Sequence, residues 1–220
     1  MVYLYKSGQI DLSYSYSEAY DTHLIESING IQNWWYVAYY DGGWPERNVW
    51  RLDLYTYKDG TVFQLSQVSD TFLQLLHSTF AEEVLRRADN IGAVIIPEVI
   101  IRTREAQKLV FNNVAIRAHN LRPDYFSEDT ITAIDAILAL WEMEEIIYKL
   151  NWYESIGSAG IVKNYFVDAI NEDQTYDRCG FVYETGSREF YGFDGNHIHI
   201  PSDLRVLTSP AYLEFFWICI

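Results

Sequence analysis

No apolar run in this chain is long enough to cross a bilayer. The longest, Ile91 to Ile101 and Ile131 to Trp141, are each interrupted, by Pro97 and Glu98 or by Asp135, and a span needs roughly 20 residues. Membrane insertion is therefore not expected. The N-terminus, Met1-Val-Tyr-Leu-Tyr-Lys-Ser-Gly, lacks a basic region followed by an apolar stretch and a small-residue cleavage site, so no secretory leader is expected either. Cysteine is scarce. Cys179 and Cys219 are too few for a disulfide framework, and a reduced, cytoplasmic setting is the expectation, or a virion interior if the source is viral.

Positive charge is also short. Lys and Arg number 16 against 31 Asp and Glu, a formal net charge of -15. A surface this acidic repels phosphate backbones and anionic lipid, so direct nucleic-acid binding is not expected. Stretches of low hydrophobicity with high net charge are missing as well, which argues for a chain folded throughout.

Aromatic residues are abundant, at 16%, and much of that surface has to be buried or shared. From Met1 to about Ser66 the apolar residues recur every second position, as in Ile10-Asp-Leu-Ser-Tyr-Ser-Tyr and Trp50-Arg-Leu-Asp-Leu-Tyr-Thr-Tyr, which predicts strands. Trp34 to Tyr40 forms a bulky run between them. Asp41-Gly42-Gly43 and Asp59-Gly60 mark hairpin turns, so the first region reads as an antiparallel meander.

Between Gln67 and Thr175 the spacing turns helical. Phe72, Leu75, Leu76, Phe80 and Val84 predict an amphipathic helix. A second helix is expected over Arg104 to His119, with Leu109, Val114 and Ile116 inward. A third follows an N-cap at Ser127 and runs through Ile131, Ile134, Ile137, Leu138, Trp141 and Ile146 to Leu150. A shorter helix over Val162 to Ile170 comes after Gly157-Ser-Ala-Gly160. Ile91 to Ile101 is readable as a buried strand only if Pro97 sits at an edge or bulge. From Tyr176 onward strand-like runs return, at Gly180 to Tyr183, Glu189 to Phe193, His197 to Ile200 and Tyr212 to Ile220. The last of these is sticky enough to require burial, against the N-terminal sheet or a partner subunit.

These patterns predict a single α+β domain over residues 1–220. An antiparallel sheet built from the N-terminal meander (1–66) and the C-terminal strands (176–220) would pack against a central helical layer (67–175).

Chemical signatures are sparse. His197 and His199 share a strand face and can offer two imidazoles to one metal ion, with Asp194 or Asp203 as an oxygen ligand, or can make ordinary hydrogen bonds beside a turn. Cys179 reads as a packed small residue or a weak nucleophile candidate, and Cys219 as packing. There is no serine elbow, P-loop or dinucleotide fingerprint, and Gly157 to Gly160 reads as a connector. Glu142, Glu144 and Glu145 have no Glu-x-x-His that would make them bundle metal ligands. No cofactor is implied, and the chain reads as non-catalytic.

Two surfaces remain as candidates. Trp34, Trp35, Tyr39, Trp44, Trp50, Tyr55 and Tyr57 crowd one meander with aromatics on both faces, which suits interface anchors or a ligand platform. Between Phe126 and Thr175 the acids, Glu142, Glu144 and Glu145 among them, face only Lys149 and Lys163, which suits a basic partner. The expected function is protein binding or assembly with other subunits, homo- or hetero-oligomeric, as a structural or adaptor component of a larger complex such as a virus or phage particle. An acidic inhibitor or immunity-type protein blocking a basic toxin or nucleic-acid enzyme is one alternative. A metal-dependent enzyme using His197 and His199 is the other.

Overall fold

A computed structural model describes residues 1–40, 44–46, 51–57, 60–155, 161–186, 196–197, 200–208 and 212–219. The fold is mixed α+β, with strands outweighing helices and, among the described residues, all but one strand pairing antiparallel. The chain divides into two compact units, Met1–Ala88 and Asp89–Ile220.

In the first unit a short helix α1 (Val2–Lys6) precedes the hairpin β1 (Leu12–Ser17) and β2 (Thr22–Ile28). Next come β3 (Trp34–Tyr40), β4 (Trp44–Glu46), a single 3-10 turn over Leu52–Leu54, β5 (Val62–Gln67) and the long helix α2 (Asp70–Asp89). The sheet order is β4-β3-β5. Period two puts Tyr36 and Ala38 of β3 in the core. Trp35 points the other way, toward Phe80 of α2, with ring centroids 6.2 Å apart. Tyr36 stacks on Phe63 at 5.0 Å and meets Tyr55 edge-on at 6.1 Å. The aromatic side chains of β3 are thus packed against the chain's own residues, on α2 and on the 51–57 segment, and Arg51 of that segment itself lies over the Phe80 ring at 5.9 Å.

Trp50 to Tyr57 does not form the expected strand. Leu52–Leu54 turns as a 3-10 helix, and Tyr55 is buried. Ring packing between Tyr55 and Tyr36 outweighs the strand pattern, an override that β-propensity is prone to. The turns at 41–43 and 58–59 lie outside the described residues, although β3 and β4 do pair across the first of them. α2 follows the expected helix with its inner face rotated: Leu76, Phe80 and Glu83 are buried, while Leu75 is exposed.

The second unit begins with the hairpin β6 (Val94–Arg102) and β7 (Lys108–Ile116), where a helix over Arg104 to His119 was expected. Its β-branched content favours the pleated state. Pro97 has no N–H to give, and the ladder skips the pair between Pro97 and Asn113, with Asn113 at φ 54°. Then follow α3 (Asp135–Glu142), β8 (Tyr148–Ser155), β9 (Ile161–Ile170), β10 (Asp173–Gln174), β11 (Cys179–Gly186), β12 (Asn196–His197) and β13 (Tyr212–Cys219). The sheets have the orders β10-β9-β8 and β12-β11-β13-β6-β7.

Further expectations are corrected in this unit. Val162 to Ile170 is strand, not helix, because Val162, Tyr165, Phe166 and Val167 favour a half-buried pleat. The C-terminal strands do not join the N-terminal meander: β13 lies between β11 and β6, pairing parallel with β6 from Leu213↔Val99 to Phe216↔Arg102. The central region, 67–175, is not a helical layer: it carries more strand, β6 to β10, than helix, α2 and α3. Finally, Cys179 and Cys219, opposite one another on β11 and β13, form a disulfide. Spacing along the chain carried no hint of that register.

Candidate functional site

The core of the second unit is built on Ile131–Leu140, ten consecutive buried residues. The 200–207 segment clamps this run: Ala133 and Ile134 donate to the carbonyls of Arg205 and Ser202, and Leu207 donates to that of Ile131. Asp135 is buried at the start of α3. Its Oδ2 accepts from the Thr132 backbone N–H at 2.6 Å and the Thr132 hydroxyl at 2.9 Å. Its Oδ1 accepts from the His119 backbone N–H at 3.1 Å and lies 3.0 Å from the His119 ring Nδ1. Four contacts hold one carboxylate, as burial requires.

Beyond Leu140 the character changes abruptly. α3 ends in a Schellman arrangement, with Glu145 N–H donating to the Leu140 carbonyl and Glu144 N–H to that of Trp141. Glu144 takes φ 61°, a position glycine usually fills. The expected continuation of this helix to Leu150 therefore stops, and Tyr148–Ser155 becomes β8. The helix end throws its last side chains outward. Trp141 is 51% exposed, Met143 50% and Ile147 72%. Trp141, expected on the inner helix face, packs edge-on against Tyr148 at 5.7 Å instead.

Between these apolar groups sit the exposed Glu142, Glu144 and Glu145. The adjoining β9–β10 turn adds Glu172: Asn171 accepts the Ile147 N–H on its Oδ1 and returns its own N–H to the Ile147 carbonyl. Lys149, the nearest base along the chain, is committed to Asp168 at 2.8 Å. The negative end of the helix dipole points at these same carboxylates. The turn is thus an apolar knuckle set among carboxylates.

Glu142 does meet a histidine, through the fold and not through a Glu-x-x-His. Its Oε1 lies 3.2 Å from His119 Nε2. His119 thereby bridges a buried carboxylate and an exposed one. The bond to Asp135 raises its pKa above the ordinary value, burial opposes this, and Glu142 adds to the rise. Spacing gave no sign of the trio, since His119 precedes Asp135 and Glu142 by a loop of irregular backbone.

Beside the trio is a cavity of about 210 Å³ lined by Asn120, Arg122, Phe126, Ser127, Thr130 and Asp135, among others. Its one cation is spent. Arg122 gives Nε and Nη2 to Asp124 at 2.9 and 2.8 Å and Nη1 to Asp203 at 2.7 Å.

The remaining candidates fall as follows. Trp35 and Tyr39 are half-buried, and Trp34 is half-buried with its indole N–H on the Ile31 carbonyl at 2.7 Å. Tyr55 is buried, while Tyr57 is exposed and packs edge-on against Tyr55 and Phe63. Trp44 lies in β4 with its side chain outside the described set, and Trp50 lies outside it altogether. His199 and Asp194 are also outside, and His197 is described only as backbone in β12. Asp203, offered above as a metal ligand, is instead buried against Arg122, the Asn164 amide and the Tyr165 N–H. Among the described residues no cluster of three metal-ligating side chains occurs. No protein-family model matches the chain, and neither a curated protein nor a solved structure is significantly similar to it.

Proposed function

We propose that this chain is a non-catalytic, protein-binding component of a larger assembly, and that a basic partner carrying apolar anchors docks on the 141–147 turn. The observation behind this reading is the alternation of Trp141, Met143 and Ile147, all at least half exposed, with Glu142, Glu144 and Glu145. Exposed tryptophan and methionine are typical interface anchors, and surrounding carboxylates steer a cationic partner and reject acidic ones. The aromatic residues around β3 support this reading less, because Trp35, Tyr36 and Tyr55 pack on one another and on Phe63 and Phe80.

The Cys179–Cys219 bond favours an oxidising setting, such as the outside of a particle, over the reduced cytosol.

The test is binding of a fluorescent peptide that repeats Leu-Lys-Lys-Leu. Binding should weaken steeply with added salt. It should be lost in the Glu142→Lys, Glu144→Lys, Glu145→Lys variant and weakened in Trp141→Ala. No binding at low salt, or binding indifferent to the triple reversal, overturns the reading.

A further inference from the structure

His119 follows β7 and precedes α3, and the charged groups facing its ring are Asp135 from the first turn of α3 and Glu142 from its last. Neighbouring elements bring charges that are engaged elsewhere. Arg117, just past β7, donates to the Ile91 carbonyl at 2.7 Å. Lys149 of β8 pairs with Asp168, and Arg122 of the following loop pairs with Asp124 and Asp203.

The hydrogen-bond pattern fixes where the ring's protons sit. Asp135 takes the Thr132 hydroxyl and two backbone N–H groups and is an acceptor throughout, so the contact from His119 Nδ1 is a donation. In the neutral ring that single proton stays on Nδ1 and leaves Nε2 a bare acceptor. Glu142 Oε1 is also an acceptor, 3.2 Å away. Two acceptors do not bond, so this contact exists only when Nε2 is protonated as well.

The geometry points to a proton-gated latch: the doubly protonated His119 ring holds Glu142 against the body of the second unit, and loss of the Nε2 proton to solvent frees that carboxylate for the basic partner. The inference rests on the docking reading above. While the latch is closed, the imidazolium neutralises one carboxylate of the knuckle. Once it opens, the knuckle gains one net negative charge and Glu142 can reach outward. Because the bond to Asp135 and then Glu142 favour the charged ring over the opposing effect of burial, the opening falls above the ordinary pKa of histidine.

The test uses the same Leu-Lys-Lys-Leu peptide, whose lysines stay charged from about pH 5.5 to 8.5, at constant ionic strength. Affinity should rise about three- to tenfold as His119 loses its proton, the effect of one added charge in a partly screened site. His119→Gln should bind with the high-pH affinity throughout, and Glu142→Gln should bind more weakly at every pH, with its smaller pH step moved to lower pH along with the His119 titration.

NMR of the His119 ring provides a readout that does not require a His119 variant to fold: Glu142→Gln should lower its pKa. A flat affinity profile in the native protein, or a His119 pKa unmoved by Glu142→Gln, overturns the latch and leaves docking standing. Absence of peptide binding at every pH overturns docking and the latch with it.

Discussion

Arg122 Nη1 donates to Asp203 Oδ2 at 2.7 Å, and both side chains are shut away from water, at 2% and 0% exposure. Asp203 also accepts from the Tyr165 N–H at 2.9 Å and the Asn164 amide at 3.1 Å. The guanidinium lies over the rings of Tyr125 at 4.6 Å and Trp152 at 5.2 Å. A single ion pair therefore joins the loop before α3, both long strands of the β10-β9-β8 sheet and the 200–207 segment.

Asp203→Ala should cost about 3–5 kcal/mol, because it leaves the Arg122 charge buried with only the rim carboxylate of Asp124 to answer it. Asp124→Ala removes a half-exposed partner and should cost about 1 kcal/mol or less. Urea unfolding of the two variants measures the contrast, and equal losses would mean that Asp203 is not the anchor.

Reducing the Cys179–Cys219 disulfide, or replacing both residues by serine, should destabilise the second unit by about 4 kcal/mol on the loop-entropy model, given their separation of 40 residues. Unfolding in denaturant with and without reductant reads this directly. The β11–β13 ladder itself should persist, since its other seven residue pairs do not depend on the bond.

Stability should also depend on pH through His119. Its folded pKa lies above its unfolded one, chiefly because of the bond to Asp135. The stabilisation is therefore fully present below the unfolded value, near pH 6.5, and is lost as pH rises through the folded value. Native protein should exceed His119→Gln in stability by more at about pH 6 than at about pH 9. A difference that stays constant between those two pH values in urea titrations would remove His119 as the source.

Glu144→Gly should stabilise the second unit by about 0.5–1 kcal/mol, since glycine meets no Cβ penalty at φ 61°. Thermal unfolding checks the sign. The same variant should weaken binding to the basic peptide by removing one carboxylate from the knuckle.

The legible parts of this fold were those with one unambiguous period. Phe80 and Leu76 announced α2, the Ser-Tyr alternation announced β1, and the paired runs at Gly180 and Tyr212 announced β11 and β13. Other segments were ambiguous in kind. Leu109, Val114 and Ile116 satisfy helical spacing about as well as the pleat they adopt, and only pairing with Val94, Ile96 and Ile101 decides the matter. The stop at Glu144 was hidden because a glutamate, with no turn chemistry of its own, holds a glycine-like angle.

At the candidate site the charge imbalance pointed to Glu142, Glu144 and Glu145, but the helix pattern assigned Trp141 to the interior. His119 was invisible. It is brought to Asp135 by the irregular loop 117–134, whose path depends on Arg122, and no residue spacing encodes that path.

The central place of β13 has a consequence for synthesis. β6 and β7 emerge first, and the strand that pairs with β6 on its other side follows about 110 residues later (Arg102 to Tyr212), the kind of long-range closure that slows folding. Until then Ile100 and Ile101, fully buried in the finished unit, border an unpaired strand edge open to any other extended segment. Nascent chains of this protein should therefore depend on protection from one another for as long as the Leu213 to Phe216 segment has yet to leave the ribosome.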